Sequence, residues 1–236
     1  MVITLSSSDV CKMFELSVVR TDCTNEKINA LAAESKKLQV AVATTLPSHT
    51  EMLVKLINGE KNVGISGNVG FPSGGATTAT KIFETKELIK AGSTEIDMVM
   101  NVGMFLSGNY TLVEEDIKRV VETADGIPVK VILECHYLKN DQIRKACEIC
   151  LKAKADYIKT GTGWAPAGAT LENIRLIKSC VGDDAKIKAA GGVRGLDTLI
   201  EMYRRGASRF GIGLGRQDVI IDQINALPEG KIKFTL

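Results

Sequence analysis

The chain has 236 residues, of which 44% are hydrophobic and 25% charged, and its formal charge is +2. That length can bury a substantial core in one large domain or two small ones, and the composition excludes a disordered or fibrous chain. The near-neutral charge shows no asymmetry along the chain, which argues against nucleic acid or a membrane as the main partner and leaves room for a local basic site that takes a small anion.

The N-terminal stretch "MVITLSSSDVCKMFEL" lacks the charged start and long apolar run of a signal peptide. No segment reaches the ~20 apolar residues of a membrane span, so a cytoplasmic protein is expected. Candidate strands follow in order at 14–18, 38–43, 62–67, 95–101, 129–134, 157–160, 186–189 and 208–212. Several, such as "VKVILEC", are nearly continuous apolar runs, as expected for parallel strands covered on both faces.

Amphipathic stretches lie between them: "NEKINALAAESKK", "TKIFETKELIKAG", "TLVEEDIKRVVETADG", "NDQIRKACEICLKAKA" and "ENIRLIKSCVG". Thr24 and Thr170 stand where N-caps are expected, and Gly92 and Gly126 where helices stop. Strands alternating with helices predict a (β/α)8 TIM barrel, α/β in class, as one domain over residues 1–236. A doubly wound open sheet is the runner-up, but the first strand–helix connection lacks a dinucleotide-type glycine fingerprint.

The six cysteines read as free thiols rather than a disulfide framework. Cys147 and Cys150 have C-x-x-C spacing, but they share a helical face with Ile143 and Ala146 and no second pair completes a zinc site. Small buried hydrophobes are the better reading.

In a barrel the active site lies at the C-terminal ends of the strands. Asp97 in "EIDMVMNVG", Lys159 in "YIKTGTG" and Lys188 in "KIKAAGGVRG" stand in apolar strands at that end. Buried charges of this kind are rare unless paired, and a structural ion pair between Asp97 and one lysine is the plain alternative. Two lysines on adjacent strands weaken that alternative, because their repulsion has a chemical use.

A lysine attacks a carbonyl only as the neutral amine, a minor form at neutral pH when the pKa is about 10.4. Lowering that value to about 7 takes roughly 4–5 kcal/mol of selective destabilisation of the ammonium. A second ammonium at about 5 Å supplies on the order of 3 kcal/mol at an effective dielectric near 20, and partial desolvation supplies the remainder. The pair therefore points to Schiff-base catalysis, with Asp97 as the proton-transfer carboxylate. Glycine-rich loops follow the last three strands: "GTG" (161–163), "GGVRG" (191–195) and "GIGLG" (211–215). Their backbone can approach a phosphate closely.

These segments resemble the class I deoxyribose-phosphate aldolase family. "DYIKTGTG" is similar to its Schiff-base segment, "KIKAAGGVRG" to its second-lysine and phosphate segment, "STEIDMVMNVG" to its aspartate strand and "NVGFPSG" to its "GFPxG" turn. The resemblance covers nearly the whole chain in the family's motif order. It implies a lyase of deoxyribonucleotide catabolism that reversibly cleaves 2-deoxy-D-ribose 5-phosphate to acetaldehyde and D-glyceraldehyde 3-phosphate, without metal or cofactor.

By the same resemblance, Lys159 would form the imine, Lys188 would depress its pKa and Asp97 would shuttle protons through water. Gly163, Gly191, Gly192, Gly211, Gly213 and Leu214 would hold the phosphate. The sequence departs from the family at Gly161, where serine is common, at Gly213 and Leu214, where a serine pair is usual, at Trp164, at Glu15 in place of aspartate, and in a tail without the terminal tyrosine of some members. A Schiff-base aldolase for another sugar phosphate or aldehyde, or a metabolite-binding barrel with weak catalysis, therefore remains an alternative.

The expected partners are thus a sugar phosphate and an aldehyde. A homodimer is kept open because many barrels dimerise, although no self-complementary patch is legible. Trp164 suits a pocket cap or loop packing equally, and Arg194 a phosphate contact or a loop end. His49 reads as a surface residue. His136 stands next to the site-end of a strand without the further ligands a metal would need. Lys81 and Glu84 read as a solvated helical face or an ion pair.

Overall fold

The continuous apolar runs become parallel strands because both of their faces need cover, one from packed interior side chains and the other from helices. The computed structural model describes residues 2–235. Its elements are β1 (Val2–Ser6), α1 (Ser7–Cys11), β2 (Phe14–Val18), α2 (Asn25–Leu38), β3 (Val42–Thr45), α3 (Thr50–Ile57), β4 (Gly64–Val69), α4 (Thr78–Lys90), β5 (Glu95–Val99), α5 (Val102–Leu106) and α6 (Tyr110–Ala124). They continue with β6 (Val129–Ile132), α7 (Asn140–Lys152), β7 (Tyr157–Lys159), α8 (Leu171–Val181), β8 (Lys186–Ala190), α9 (Leu196–Arg204), β9 (Ala207–Gly213), α10 (Gln217–Asn225) and β10 (Lys231–Thr235). Strands β2 to β9 close into a parallel barrel in chain order, β2 pairing with β9. This is the TIM barrel the alternation predicts.

Local chemistry sets the helix ends. Thr24 caps α2 by accepting from the Lys27 amide, and Thr170 caps α8 by accepting from Asn173 at 3.1 Å. Gly92 and Gly126 follow α4 and α6 with φ of +107° and +87°, a region glycine enters without a Cβ penalty.

The expected strand at 38–43 begins later than predicted. Leu38 completes the last turn of α2, Gln39 ends the helix in the left-handed region, and the strand starts at Val42. The strand expected at 62–67 likewise runs Gly64–Val69. β1 and β10, which the sequence did not announce, form a separate antiparallel pair joining Val2 to Thr235. That pairing ties both ends of the chain together, and Phe234 packs edge-on against Tyr203 of α9 with ring centroids 5.8 Å apart.

Cys147 and Cys150 are fully buried on α7, as the helical-face reading expects. Burial raises both thiol pKa values, so they are inert core groups. Of the two readings of Lys81, the ion pair holds and the solvated face does not. Lys81 is fully buried on α4, where its Nζ pairs with Asp116 of α6 at 2.5 Å and donates to the Val99 carbonyl at 2.9 Å. Glu84 turns elsewhere and accepts from the Gly70 amide at 2.6 Å, with burial raising its pKa. No helix among the described residues is long and apolar enough to cross a membrane.

Candidate active site

Strand periodicity and register bring the predicted charges together. Asp97 of β5 stands opposite Lys130 of β6, and Lys159 of β7 stands opposite Lys188 of β8. Barrel closure then sets β9, and beyond it β2, beside β8, which introduces Glu15.

Asp97 is the hub of the resulting cluster. Its Oδ2 accepts from Lys159 at 2.6 Å and from Lys188 at 2.7 Å. Its Oδ1 accepts from Lys130 at 2.8 Å and from the Ser66 hydroxyl at 2.7 Å. Lys188 also donates to Glu15 Oε2, and Lys130 lies 3.4 Å from the same oxygen and 2.5 Å from Glu95 Oε2. Four of these participants, Lys130, Glu15, Ser66 and Glu95, stand outside the site predicted from sequence. Lys130 was hidden within the apolar run "VKVILEC", where a lysine inside a buried strand was the signal, and Glu15 was noted only as a departure from the family pattern.

The cluster determines which lysine gives up its proton. Burial acts on Asp97 to raise its pKa, but three ammonium groups overcome that effect and hold the carboxyl well below its usual range. Glu15 is held low in the same way by Lys130 and Lys188. Lys130, although fully buried, faces three carboxylates, which keep it firmly protonated. Lys159 has only a share of one carboxylate oxygen. Burial is the largest effect on it, Asp97 opposes that effect and Lys188 adds to it, and its pKa is brought down to about 8. The repulsion between the lysines therefore operates as expected, but desolvation outweighs it.

Lys159, Lys188 and Glu15 border a cavity of about 640 Å³ at the barrel mouth. Gly163, Gly191, Gly192, Gly211, Gly213 and Leu214 all line it. The N–H groups of Gly163, Gly192 and Val193 have no acceptor among the described residues. Leu214 differs from its expected role in one respect: its N–H already donates to the Ser17 carbonyl at 3.0 Å. Asp97 also differs. It is fully buried with both oxygens engaged and is not among the residues that border the cavity, whereas Lys159, Lys188 and Glu15 are.

Trp164 forms part of the wall. Its indole N–H donates to the Val19 carbonyl at 3.0 Å, the Arg20 guanidinium lies 4.7 Å from the ring centre, and Phe71 meets it edge-on at 6.3 Å. It therefore clasps the loops after β2, β4 and β7 across the mouth. Asn68 lines the cavity too; its amide nitrogen donates to Thr44 and Thr45, and its Oδ1 has no partner among the described residues.

The glycine at 161 has a spatial reason. A Cβ there would come within 2.7 Å of Glu134 Oε1. Glu134 is held in the left-handed region at φ +53° and accepts from the Thr162 amide and hydroxyl. Arg194 is exposed and does not line the cavity. His136 is exposed against Tyr137, and His49 is half-buried beside Ser48 and Cys23.

Comparison with known proteins gives a consistent result. The profile of the DeoC/LacD family aldolase matches residues 4–219. A deoxyribose-phosphate aldolase of Klebsiella pneumoniae subsp. pneumoniae is 41% identical over 220 residues, covering 92% of this chain and 88% of the relative. Deoxyribose-phosphate aldolase 1 of Mesoplasma florum is 42% identical over 204 residues, covering 86% and 92%. Among solved structures, a Coccidioides immitis protein provisionally assigned as a deoxyribose-phosphate aldolase superposes with a TM-score of 0.89 at 30% identity, covering 94% of this chain and 87% of the other.

Proposed function

The chain belongs to the DeoC/LacD family of aldolases, and on that premise we propose that it reversibly cleaves 2-deoxy-D-ribose 5-phosphate to acetaldehyde and D-glyceraldehyde 3-phosphate through an imine on Lys159. The observation that carries the assignment is a lysine at the cavity surface whose pKa is brought down to about 8. At neutral pH about a tenth of such a group is the free amine, a far larger share than an unperturbed lysine offers.

The Lys159 amine attacks the aldehyde carbon C1 of the open-chain sugar, and the carbonyl oxygen takes a proton and leaves as water to give the iminium. Loss of the C3 hydroxyl proton lets the C2–C3 bond break. Its electron pair passes into the iminium as an enamine, releasing glyceraldehyde 3-phosphate. Protonation at C2 and hydrolysis then free acetaldehyde and restore the amine.

The protons travel through Lys188 and Glu15, which border the cavity and are bonded to each other. Asp97 is the positioning group. It holds the Lys159 and Lys188 side chains on one oxygen from beneath the cavity. The unpartnered Glu15 Oε1 and Asn68 Oδ1 are available to accept from substrate hydroxyls. The amides of Gly163, Gly192 and Val193 are donors for the phosphate.

Borohydride reduction in the presence of acetaldehyde or deoxyribose 5-phosphate, followed by peptide mass mapping, tests the assignment. A stable adduct at Lys159 is expected. An adduct elsewhere, or none, refutes the imine role. An adduct with acetaldehyde but no cleavage of deoxyribose 5-phosphate transfers the chemistry to another substrate.

A further inference from the structure

The cavity has a cation to which neither the sequence motifs nor the imine chemistry gives work. Five basic side chains line it: Arg20, Lys27, Lys159, Lys188 and Arg216. Four are engaged. Lys159 and Lys188 bind carboxylates in the barrel, Lys27 pairs with Asp22, and Arg20 lies over Trp164 and donates to the Gly163 carbonyl at 3.4 Å. The Arg216 guanidinium has no hydrogen bond, ion pair or ring contact among the described residues, although its neighbours Gly215 and Gln217 do.

Its position follows from the local backbone. β9 ends at Gly213, Gly215 takes φ +87°, and the Arg216 N–H turns back to the Gly213 carbonyl at 3.0 Å. This turn brings the Arg216 side chain to the same cavity as Gly191, Gly192 and Gly213. Gly213 and Leu214 offer that region neither hydroxyl nor charge, and the Leu214 amide is committed to Ser17. Arg194, the other arginine of the glycine-rich loops, stays outside the cavity.

We infer that Arg216 recognises the substrate's phosphate, its guanidinium acting with the free Gly192 and Val193 amides that line the same cavity. A guanidinium fork presents paired N–H donors to phosphate oxygens, and a charge-assisted contact of this kind is about twice as strong as a neutral one. The inference rests on the deoxyribose 5-phosphate reading for the identity of the ligand, but not for the binding of an anion.

The test compares the wild type with Arg216→Ala and Arg216→Lys in two measurements: calorimetric affinity for inorganic phosphate, and kcat/KM for deoxyribose 5-phosphate against unphosphorylated 2-deoxyribose. Arg216→Ala is expected to weaken phosphate binding by about tenfold or more and to lower the phosphorylated-to-unphosphorylated ratio by a similar factor through KM, with Arg216→Lys recovering part of both. A merely structural loss lowers both activities and leaves the ratio unchanged, which overturns the inference. Unchanged phosphate affinity in Arg216→Ala, or no phosphate binding by the wild type, also overturns it. If phosphate binds through Arg216 but deoxyribose 5-phosphate is not cleaved, the substrate reading fails and the anion site stands.

Discussion

One carboxylate oxygen, Asp97 Oδ2, accepts hydrogen bonds from both Lys159 and Lys188, at 2.6 and 2.7 Å. Neither lysine has that oxygen to itself, and Lys188 holds Glu15 as a second anion while Lys159 has none. The less compensated ammonium, Lys159, is the one whose pKa is brought down, which supports the nucleophile role proposed for it.

The pH dependence follows directly. Burial disfavours the charged form of Lys159 and lowers its pKa to about 8, so imine trapping rises with pH and levels off above that value. Between about pH 6 and 7 the initial rate of borohydride-trapped adduct should climb close to tenfold per pH unit. A flat profile over that interval would mean that Lys159 is already neutral or is not the nucleophile.

Substitution Lys188→Met removes a like charge and leaves Asp97 Oδ2 to Lys159 alone. Both changes favour the Lys159 ammonium, so the midpoint of the trapping profile should move above 8 and trapping at pH 7 should drop about tenfold or more. A midpoint that stays put refutes the tuning role of Lys188, whatever happens to turnover.

Lys130 reaches the same end through a different partner. It is fully buried among Asp97, Glu15 and Glu95, and Lys130→Met strands those carboxylates. The expected cost is about 3–5 kcal/mol in urea unfolding. Asp97, relieved of one ammonium, should also hold the Lys159 proton more tightly and shift the trapping midpoint upward. Loss of stability without that shift would separate Lys130 from the chemistry.

The Lys81–Asp116 pair provides the contrast. It joins α4 to α6 and takes no part in the barrel-mouth cluster. Asp116→Ala leaves a buried ammonium with only the Val99 carbonyl and should also cost about 3–5 kcal/mol, yet the trapping midpoint should be unchanged. A shifted midpoint would show that this pair is coupled to the site.

Gly161→Ser tests the packing beneath the imine loop. The new Cβ meets the buried Glu134 carboxylate, which cannot yield without losing its contacts to Thr162. A loss of about 1–3 kcal/mol is expected in thermal or urea unfolding. Unaltered stability would indicate that Glu134 has another rotamer available.

The sequence by itself determined the parallel barrel, because unbroken apolar runs alternating with amphipathic helices have few other ways to bury both strand faces. It also singled out Asp97, Lys159 and Lys188, since charges inside such runs demand partners and strand ends point to the mouth. The partners themselves were decided only by tertiary structure. Lys188 and Glu15 are 173 residues apart and meet because closure sets β8 and β2 on either side of β9. Lys81 suited a solvated face or an ion pair by sequence alone, and only the packing of α6 supplied Asp116 and decided for the pair. Trp164 became a clasp only when the loop after β2 brought up Val19 and Arg20. Periodicity reports which face a residue takes. Which remote side chain stands across from it depends on the closure of the barrel and the path of its loops, and "DYIKTGTGWAP" alone carries neither.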